Sequence, residues 1–508
     1  MTLSSDLGVA VIGLGPMGRG IARVFDRAGA RVSVVDADQE LTARGLEQIA
    51  AEAREEDGGD GQRIVAARSL AEAVSGAALV VEAVVERMDV KQELLAELAA
   101  HAPEDAVVAS NTSSLSIGEM GRAFGHPERM VGMHFFNPPT KMRLVEVIRG
   151  SETSDETVER AVRWSREAGK EPVVCADSPN FIVNRVCRPL YYEAQLLVTQ
   201  GVEPARVDAI ARGALGHRMG PLELLDFTGL HTHLGSSETA LREFGDPRYR
   251  PIPLVRTLVR SRNTGRAAGR GFYDYGSETP RDGRARVIVD PGEPGPDPVV
   301  VLGPGAEGVA SHPAAAEGVS ATAPGPGVAA VIYAIPGAAA DDDVEAVRRL
   351  VADGHPVVVD SSDGRWLDDL PSGAGWLRLH LRRREPFAEV VRDPVASIEP
   401  TPAVPAALAA VGARSVEVPG LPGLVADRLQ QTMDNEAALV VEEQTAEPDA
   451  VDRALRLAMN HPIGPFEHLA AAGVENVVAG LRSMQARTGD PRYRPTQLLC
   501  RRAAGALR

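Results

Sequence analysis

Gly245-Asp-Pro-Arg-Tyr-Arg-Pro251 recurs, residue for residue, as Gly489-Asp-Pro-Arg-Tyr-Arg-Pro495, 244 positions later. Met219-Gly-Pro-Leu-Glu-Leu224 and Ile463-Gly-Pro-Phe-Glu-His468 stand at the same interval, and so do Val207-Asp208 and Val451-Asp452. Three separated segments in one register indicate a duplication. The repeated stretch carries helical apolar spacing from Phe181 to Thr199, Pro204 to Leu215 and Pro221 to Leu230, with no convincing strand before Gly276. The chain is therefore expected to build one all-helical domain twice.

A different pattern precedes each helical copy. Val9–Ile12, Val32–Asp36, Ala78–Ala83 and Ala106–Ser110 are short apolar runs, and helical spacing fills Met17–Gly29 and Lys91–Ala100 between them. Strands alternating with helices predict a parallel sheet. Strand-like runs return at Pro298–Leu302, Ala329–Ala334 and Pro356–Asp360. There Gly303-Pro-Gly-Ala-Glu-Gly308 repeats a glycine spacing of the first region, while Leu379-His380 and Glu389-Val-Val391 faintly echo Met133-His134 and Glu146-Val-Ile148. The second α/β region thus reads as a worn copy of the first. The expected boundaries are 1–178 and 179–276 for the first α/β and helical domains, 277–296 for a Pro/Gly-rich linker, and 297–418 and 419–508 for the second pair. A chain of 508 residues, at roughly 100–200 residues per domain, has room for them.

Gly13-Leu14-Gly15-Pro16-Met17-Gly18 follows a strand and opens a helix. In that context the glycines make a tight turn, let backbone approach a pyrophosphate and let helix and strand pack closely. Asp36 ends the second strand, eighteen residues beyond Gly18. A carboxylate there accepts ribose hydroxyls and repels a 2′-phosphate, and Asp38 adds to that repulsion, so the cofactor expected is NAD rather than NADP. Ser110-Asn-Thr-Ser-Ser-Leu115 is delivered by a strand to the edge where ligands bind in such sheets, although a Ser/Thr/Asn cluster is equally a turn. His134-Phe-Phe-Asn-Pro138 is followed, twelve residues after its histidine, by Glu146 among valines and isoleucine. A carboxylate in such a strand either faces solvent or points inward at a partner, and an imidazole beside it makes a general base of fixed tautomer.

Together with Asn180-Phe-Ile-Val-Asn184-Arg, Met219-Gly-Pro-Leu-Glu-Leu-Leu-Asp226 and Gly269-Arg-Gly-Phe-Tyr273, these segments resemble the 3-hydroxyacyl-CoA dehydrogenase family, in order, over residues 8–276. The resemblance implies an α/β Rossmann-type parallel sheet plus an all-α domain with a cleft between them, followed here by a degenerate second α/β domain and a second all-α domain. Doubled helical regions occur in bacterial members of the 3-hydroxybutyryl-CoA and 3-hydroxyadipyl-CoA type. It implies NAD-dependent, reversible oxidation of an (S)-3-hydroxyacyl-CoA. His134 matches the catalytic base and Glu146 its partner. Ser113 and Asn184 match the groups that hold the reacting oxygen, and Asn137 lies in the same signature as a further substrate contact. Asp36 matches the ribose acid. Glu86 and Lys91 match positions near the nicotinamide half of the cofactor, with Asn111 beside them, although Lys91 also reads as a solvated helix lysine. Asn180, where glycine is common, and His217-Arg218, where an aromatic–Pro pair is common, depart from the pattern.

Two other readings stay open. The glycine motif also resembles the opening of 3-hydroxyisobutyrate and 6-phosphogluconate dehydrogenases, which lack the His-Phe-Phe-Asn-Pro signature, and a non-catalytic NAD or acyl-CoA binder would share the fold. The second half is expected to be a structural copy: Asp427 stands for Asn184, Leu381-Arg-Arg-Arg384 for Phe135-Phe-Asn-Pro138, and only Val359-Asp-Ser-Ser362 remains of the Ser/Thr/Asn segment. Its helical domain is expected to pack on the first, as an intramolecular pseudo-dimer or alongside a homodimer. The net charge of −16 argues against nucleic acid or an anionic membrane as partner. Cys175, Cys187 and Cys500 form no CxxC pair and no metal-ligand cluster, and neither a signal peptide nor an apolar run of membrane-spanning length is evident. No metal and a cytoplasmic location are expected.

Overall fold

The computed structural model describes residues 7–57, 63–276, 287–316, 319–321, 323–325 and 327–505. The chain forms two compact units, one of Met1–Arg185 with Glu443–Asn460, the other of Val186–Glu442 with His461–Arg508.

The first unit is built on eight strands: β1 (Gly8–Ile12), β2 (Arg31–Val35), β3 (Ile64–Ala66), β4 (Leu79–Glu82), β5 (Val107–Ser110), β6 (Met130–Phe135), β7 (Leu144–Arg149) and β8 (Glu171–Ala176). They lie in the order β3-β2-β1-β4-β5-β6-β7-β8. The central strands are continuous Val/Ala/Leu runs because helices cover both of their faces. The helix Pro16–Arg27 starts on a proline whose missing N–H costs nothing there. The sheet departs from the all-parallel expectation at one place. β6 and β7 run antiparallel, and their register sets His134 directly opposite Glu146. The three-residue β3 and the strands β6 and β8 were not marked by the sequence pattern as strands, and β7 only by the alternation of Glu146 with valine and isoleucine.

The second unit carries a seven-stranded sheet. Its strands are β9 (Val299–Leu302), β10 (Val319–Ser320), β11 (Ala330–Ala334), β12 (Val357–Asp360), β13 (Gly375–His380), β14 (Phe387–Val391) and β15 (Arg414–Val418), ordered β10-β9-β11-β12-β13-β14-β15. This is the order of the first sheet less one edge strand, and again one antiparallel pair, β13 with β14, stands at the matching place. Of the expected linker, residues 277–286 lie outside the described residues.

The expected helical runs form at Val183–Thr199, Pro204–Gly213 and Pro221–Thr228, where Gly229 ends the third before Leu230–Phe244 begins. Asp208, which recurs as Asp452, and Asp226, which does not recur, are structural. Asp208 accepts the N–H groups of Leu222 and Glu223 (both 2.9 Å) and the Tyr273 hydroxyl, and burial pushes its carboxyl up to about 6. Asp226 accepts the N–H groups of Phe272 and Tyr273. Within the second unit the two helical repeats pack on each other. The Tyr493 hydroxyl donates to Glu193 (2.9 Å), and the corresponding Tyr249 hydroxyl donates to Glu436 (2.6 Å). Arg428 joins Glu193 at 2.9 Å, and the rings of His217 and His461 stack at 4.1 Å. His217 and His461 are one repeat interval apart, so the unusual histidine at 217 meets its own counterpart. Helix Pro204–Gly213 packs on β14 and β15, whereas its repeat, Pro448–Met459, belongs to the first unit and packs on β7 and β8. Each helical repeat thus gives one helix to the sheet of the other half.

Candidate active site

The turn after β1 makes the cofactor end. Gly13 has φ +89°, in the left-handed region, and a side chain on Gly18 would meet the Gly13 carbonyl oxygen at 1.8 Å. Gly15, between them, faces open space. Pro16 and Met17 open the helix that follows. Asp36 accepts the Leu14 N–H (2.6 Å) and the Ala37 N–H (2.7 Å), which fixes it beneath the turn with lone pairs to spare. Asp38 caps the next helix through the Leu41 N–H. A cavity of about 930 Å³ opens here, lined by Gly13, Gly15, Asp36, Val84, Val85 and Val90 among others. Its size, its glycine floor and its ribose-height carboxylate fit an adenine dinucleotide.

Glu86 lies 40% exposed and gathers the β5 loop. It accepts the Thr112 hydroxyl (2.7 Å), the Ser113 N–H (2.8 Å) and the Ser113 hydroxyl (3.1 Å). Lys91 is 1% exposed, so it is no solvated helix lysine. Its ammonium sits between the oxygens of Glu82 (2.9 and 2.8 Å), with Glu86 at 3.6 Å. Glu82 also accepts the Ser110 hydroxyl. Sequence reasoning missed Glu82, whose only signal was a charge ending an apolar strand, and marked Ser110 and Thr112 only as part of the Ser110–Leu115 segment. Asn111 accepts the Phe135 N–H (2.9 Å) and so ties the end of β5 to β6.

The His134 Nδ1 stands 2.6 Å from Glu146 Oε2. Glu146 is wholly buried, and its other oxygen accepts the N–H groups of Ile182 (3.2 Å) and Val183 (2.9 Å), where the next helix starts. Two backbone N–H groups donated to Oε1 favour the ionised carboxylate, to which Nδ1 then donates its proton, with the lone pair left on Nε2. Nε2 has no hydrogen-bond partner among the described residues. The rings of Phe136 and Phe181 lie 4.5 and 6.0 Å from the imidazole and shield the pair. The backbone that brings the two N–H groups to Glu146 is strained: Asn180 and Phe181 have φ +65° and +53°. Asparagine tolerates that region best after glycine, which accounts for the departure at 180. Asn184, one turn on, brings its Nδ2 to 3.5 Å from the Ser113 carbonyl. His134, Glu146, Ser113 and Asn184 are therefore linked through one set of contacts. Asn137 is exposed and joins none of the hydrogen bonds of this set.

The second sheet repeats part of this construction at the residues that echo His134 and Glu146. Glu389, also fully buried, accepts the N–H groups of Val425 (2.7 Å) and Ala426 (3.1 Å). His380 bonds it at 2.9 Å, but through Nε2. Arg378, not His380, stands opposite Glu389 across the strands, and Asp427 pairs with Arg378 at 3.3 Å. Among the described residues no group of three or more His, Cys, Asp or Glu side chains is placed to hold a metal, and no helix is long and apolar enough to cross a membrane. All three cysteines are free thiols.

Residues 8–178 match the model of the 3-hydroxyacyl-CoA dehydrogenase NAD-binding domain, and 181–275 and 423–505 each match that of its C-terminal domain. The 3-hydroxyadipyl-CoA dehydrogenase of Escherichia coli K12 is 31% identical, over 97% of each chain. A probable 3-hydroxybutyryl-CoA dehydrogenase of Deinococcus radiodurans is 40% identical over 52% of this chain and 99% of its own. The crystal structure of a 3-hydroxybutyryl-CoA dehydrogenase from E. coli K12 superposes with a TM-score of 0.79 at 28% identity, covering 99% of this chain and all of that one. With both family domains matched, and a relative aligned over nearly its whole length, the chain belongs to the 3-hydroxyacyl-CoA dehydrogenase family.

Proposed function

We propose that His134 and Glu146 are the general-base pair of an NAD-dependent (S)-3-hydroxyacyl-CoA oxidation, reversible to reduction of the 3-ketoacyl-CoA. The observation that carries this reading is the 2.6 Å contact of His134 Nδ1 with the buried Glu146, which leaves Nε2 as the free base. Bound NAD supplies the acceptor for the hydride lost from C3. Gly13, Gly15 and Asp36 hold it on the turn after β1, with Leu14, Pro16, Met17 and Gly18 forming the rest of the cradle. Nε2 takes the hydroxyl proton, and Glu146 stabilises the imidazolium that results. Ser113 and Asn184 fix the reacting oxygen, and Glu86, which bonds Ser113, keeps that hydroxyl in place. Asn111 and Lys91 support this end of the site from beneath. Asn137 is the outlying substrate contact.

The acyl-CoA is proposed to be short, because the relatives of this full-length architecture carry names for butyryl and adipyl substrates. Pairing of the helical repeats within one chain is proposed to replace a two-subunit interface. The free thiols favour a reducing, cytoplasmic setting. The test is NADH consumption with acetoacetyl-CoA and with longer and dicarboxylic 3-ketoacyl-CoAs. His134→Gln is expected to lose about three decades of turnover while keeping NADH affinity. Near-normal turnover of that variant would refute the assignment.

A further inference from the structure

The second half holds a cavity of its own where the first half has its His–Glu pair. It measures about 290 Å³, lies wholly within the second unit, and is lined by Arg378, His380, Arg382 and Asp427 together with Leu381, Ile463 and Val477. We propose that it is a second binding site, for a short aliphatic carboxylate, distinct from the dehydrogenase site.

The cofactor end of the same half is not built like that of the first. Where Gly15 faces open space, a Cβ on Gly305 would meet the Ala334 side chain at 3.2 Å, and the Tyr333 ring lies against Gly303. No acid follows the second glycine motif at the place of Asp36.

The charges in the cavity favour an anion. Its carboxylates are already committed: Asp427 to Arg378 at 3.3 Å, and Asp434, just behind the wall, to His468 at 2.6 Å and to Gln430. Glu389 is engaged by His380 and two backbone N–H groups. Arg382, by contrast, makes no hydrogen bond or ion pair with the described residues. Arg383, also in the wall and exposed, gives its hydrogen bond to the Arg212 carbonyl (3.0 Å) and makes no ion pair with the described residues. Partial desolvation and the charge of Arg378 pull Arg382 below its ordinary range, against the opposing pull of Asp427 and Asp434. The exposed guanidinium groups of Arg382 and Arg383, beside leucine, isoleucine and valine, suit a carboxylate with an alkyl tail better than an inorganic anion. At 290 Å³ the space is at the small end of pockets that enclose organic ligands, roughly 300–1,000 Å³.

Isothermal titration of the full-length protein with hexanoate tests this, with Arg382→Ala and Ile463→Trp as variants. Hexanoate should bind the parent. Arg382→Ala should weaken binding about ten-fold or more, the size of a lost charge-assisted hydrogen bond, and Ile463→Trp should abolish it by filling the cavity. Turnover of acetoacetyl-CoA should be unchanged in both, which separates failure here from failure of the dehydrogenase reading. Absence of binding at millimolar hexanoate, binding unaffected by both variants, or sulfate binding as tightly as hexanoate would each overturn the proposal.

Discussion

The two α/β halves start from one plan and end in different states. Each has a fully buried glutamate on the second strand of its antiparallel pair, and each glutamate is fastened to two N–H groups at the start of the following helix. In the first half the residue directly across the strands is His134; in the second it is Arg378, and His380 reaches the carboxylate from two residues further along. Nε2 is free in one case and spent in the other. The fastening of the glutamate is therefore a property of the fold, kept where no base is offered, and the base is a property of one register position. The largest predicted effect follows. Glu146→Gln should lower kcat with acetoacetyl-CoA by about two to four decades, through loss of the orienting charge. Glu389→Gln should leave kcat within two-fold. A comparable loss in both would mean that the glutamates act through the fold and not through chemistry.

A second contrast lies beneath the cofactor ends. Glu82 and Lys91 form a fully buried ion pair in the first half. At the corresponding strand end of the second, the half-buried Tyr333 donates to Asp343 at 3.1 Å. Removing one partner of a buried pair strands a charge, at a cost of about 3–5 kcal/mol, whereas a partly solvated hydroxyl contributes about 1 kcal/mol. Lys91→Met should show the larger loss in denaturant unfolding and Tyr333→Phe the smaller. Equal losses would show that water reaches Glu82.

These contrasts also mark what could be read from the sequence. Glu146 was legible because a carboxylate inside a Val/Ile strand needs a partner, and His134 was the residue type able to serve. Glu82–Lys91 was not, because the partner lies on a helix that folds back over the sheet, and Lys91 on a helix face looks like any solvated lysine. The antiparallel turn of β6 and β7 was hidden because a strand buried on both faces is a continuous apolar run in either direction. The His380–Glu389 contact showed only as a faint echo, since its partners are nine residues apart and not twelve. The strained backbone at Asn180 and Phe181 has its counterpart at Gly423 and Leu424, with φ +78° and +49°. That likeness is conformational and leaves little trace in residue identity.

The helical repeats diverged less, and their stacked histidines sharpen the point. His217 and His461 are both buried, and burial pulls His217 down to about 4 and His461 well below its usual value, with His217 also opposing the protonation of His461. In the unfolded chain both titrate near 6.5. The unfolded state therefore binds protons that the folded state does not as pH falls below about 6.5, and stability drops from there down to about 4. The contribution of His217 alone is about 3 kcal/mol across that window. A His217→Gln, His461→Gln variant should show a flatter dependence of unfolding free energy on pH between these limits. An unchanged slope would assign the acid loss to other groups.

The smallest effect tests whether the helical halves are still equivalent. Tyr493 both accepts from Arg428 (2.8 Å) and donates to Glu193 (2.9 Å), while its counterpart Tyr249 donates to Glu436 at 2.6 Å and Arg248 stands 3.8 Å from that carboxylate. Each hydroxyl makes a charge-assisted bond worth about 1.5–3 kcal/mol. In Tyr493→Phe, however, Arg428 and Glu193 keep their direct contact at 2.9 Å, which limits the loss. The two phenylalanine variants should therefore destabilise the protein by amounts within about 1 kcal/mol of each other, even though the α/β halves differ by decades in the glutamate test. A loss confined to one tyrosine would show that the repeats, like the sheets they serve, have divided their labour.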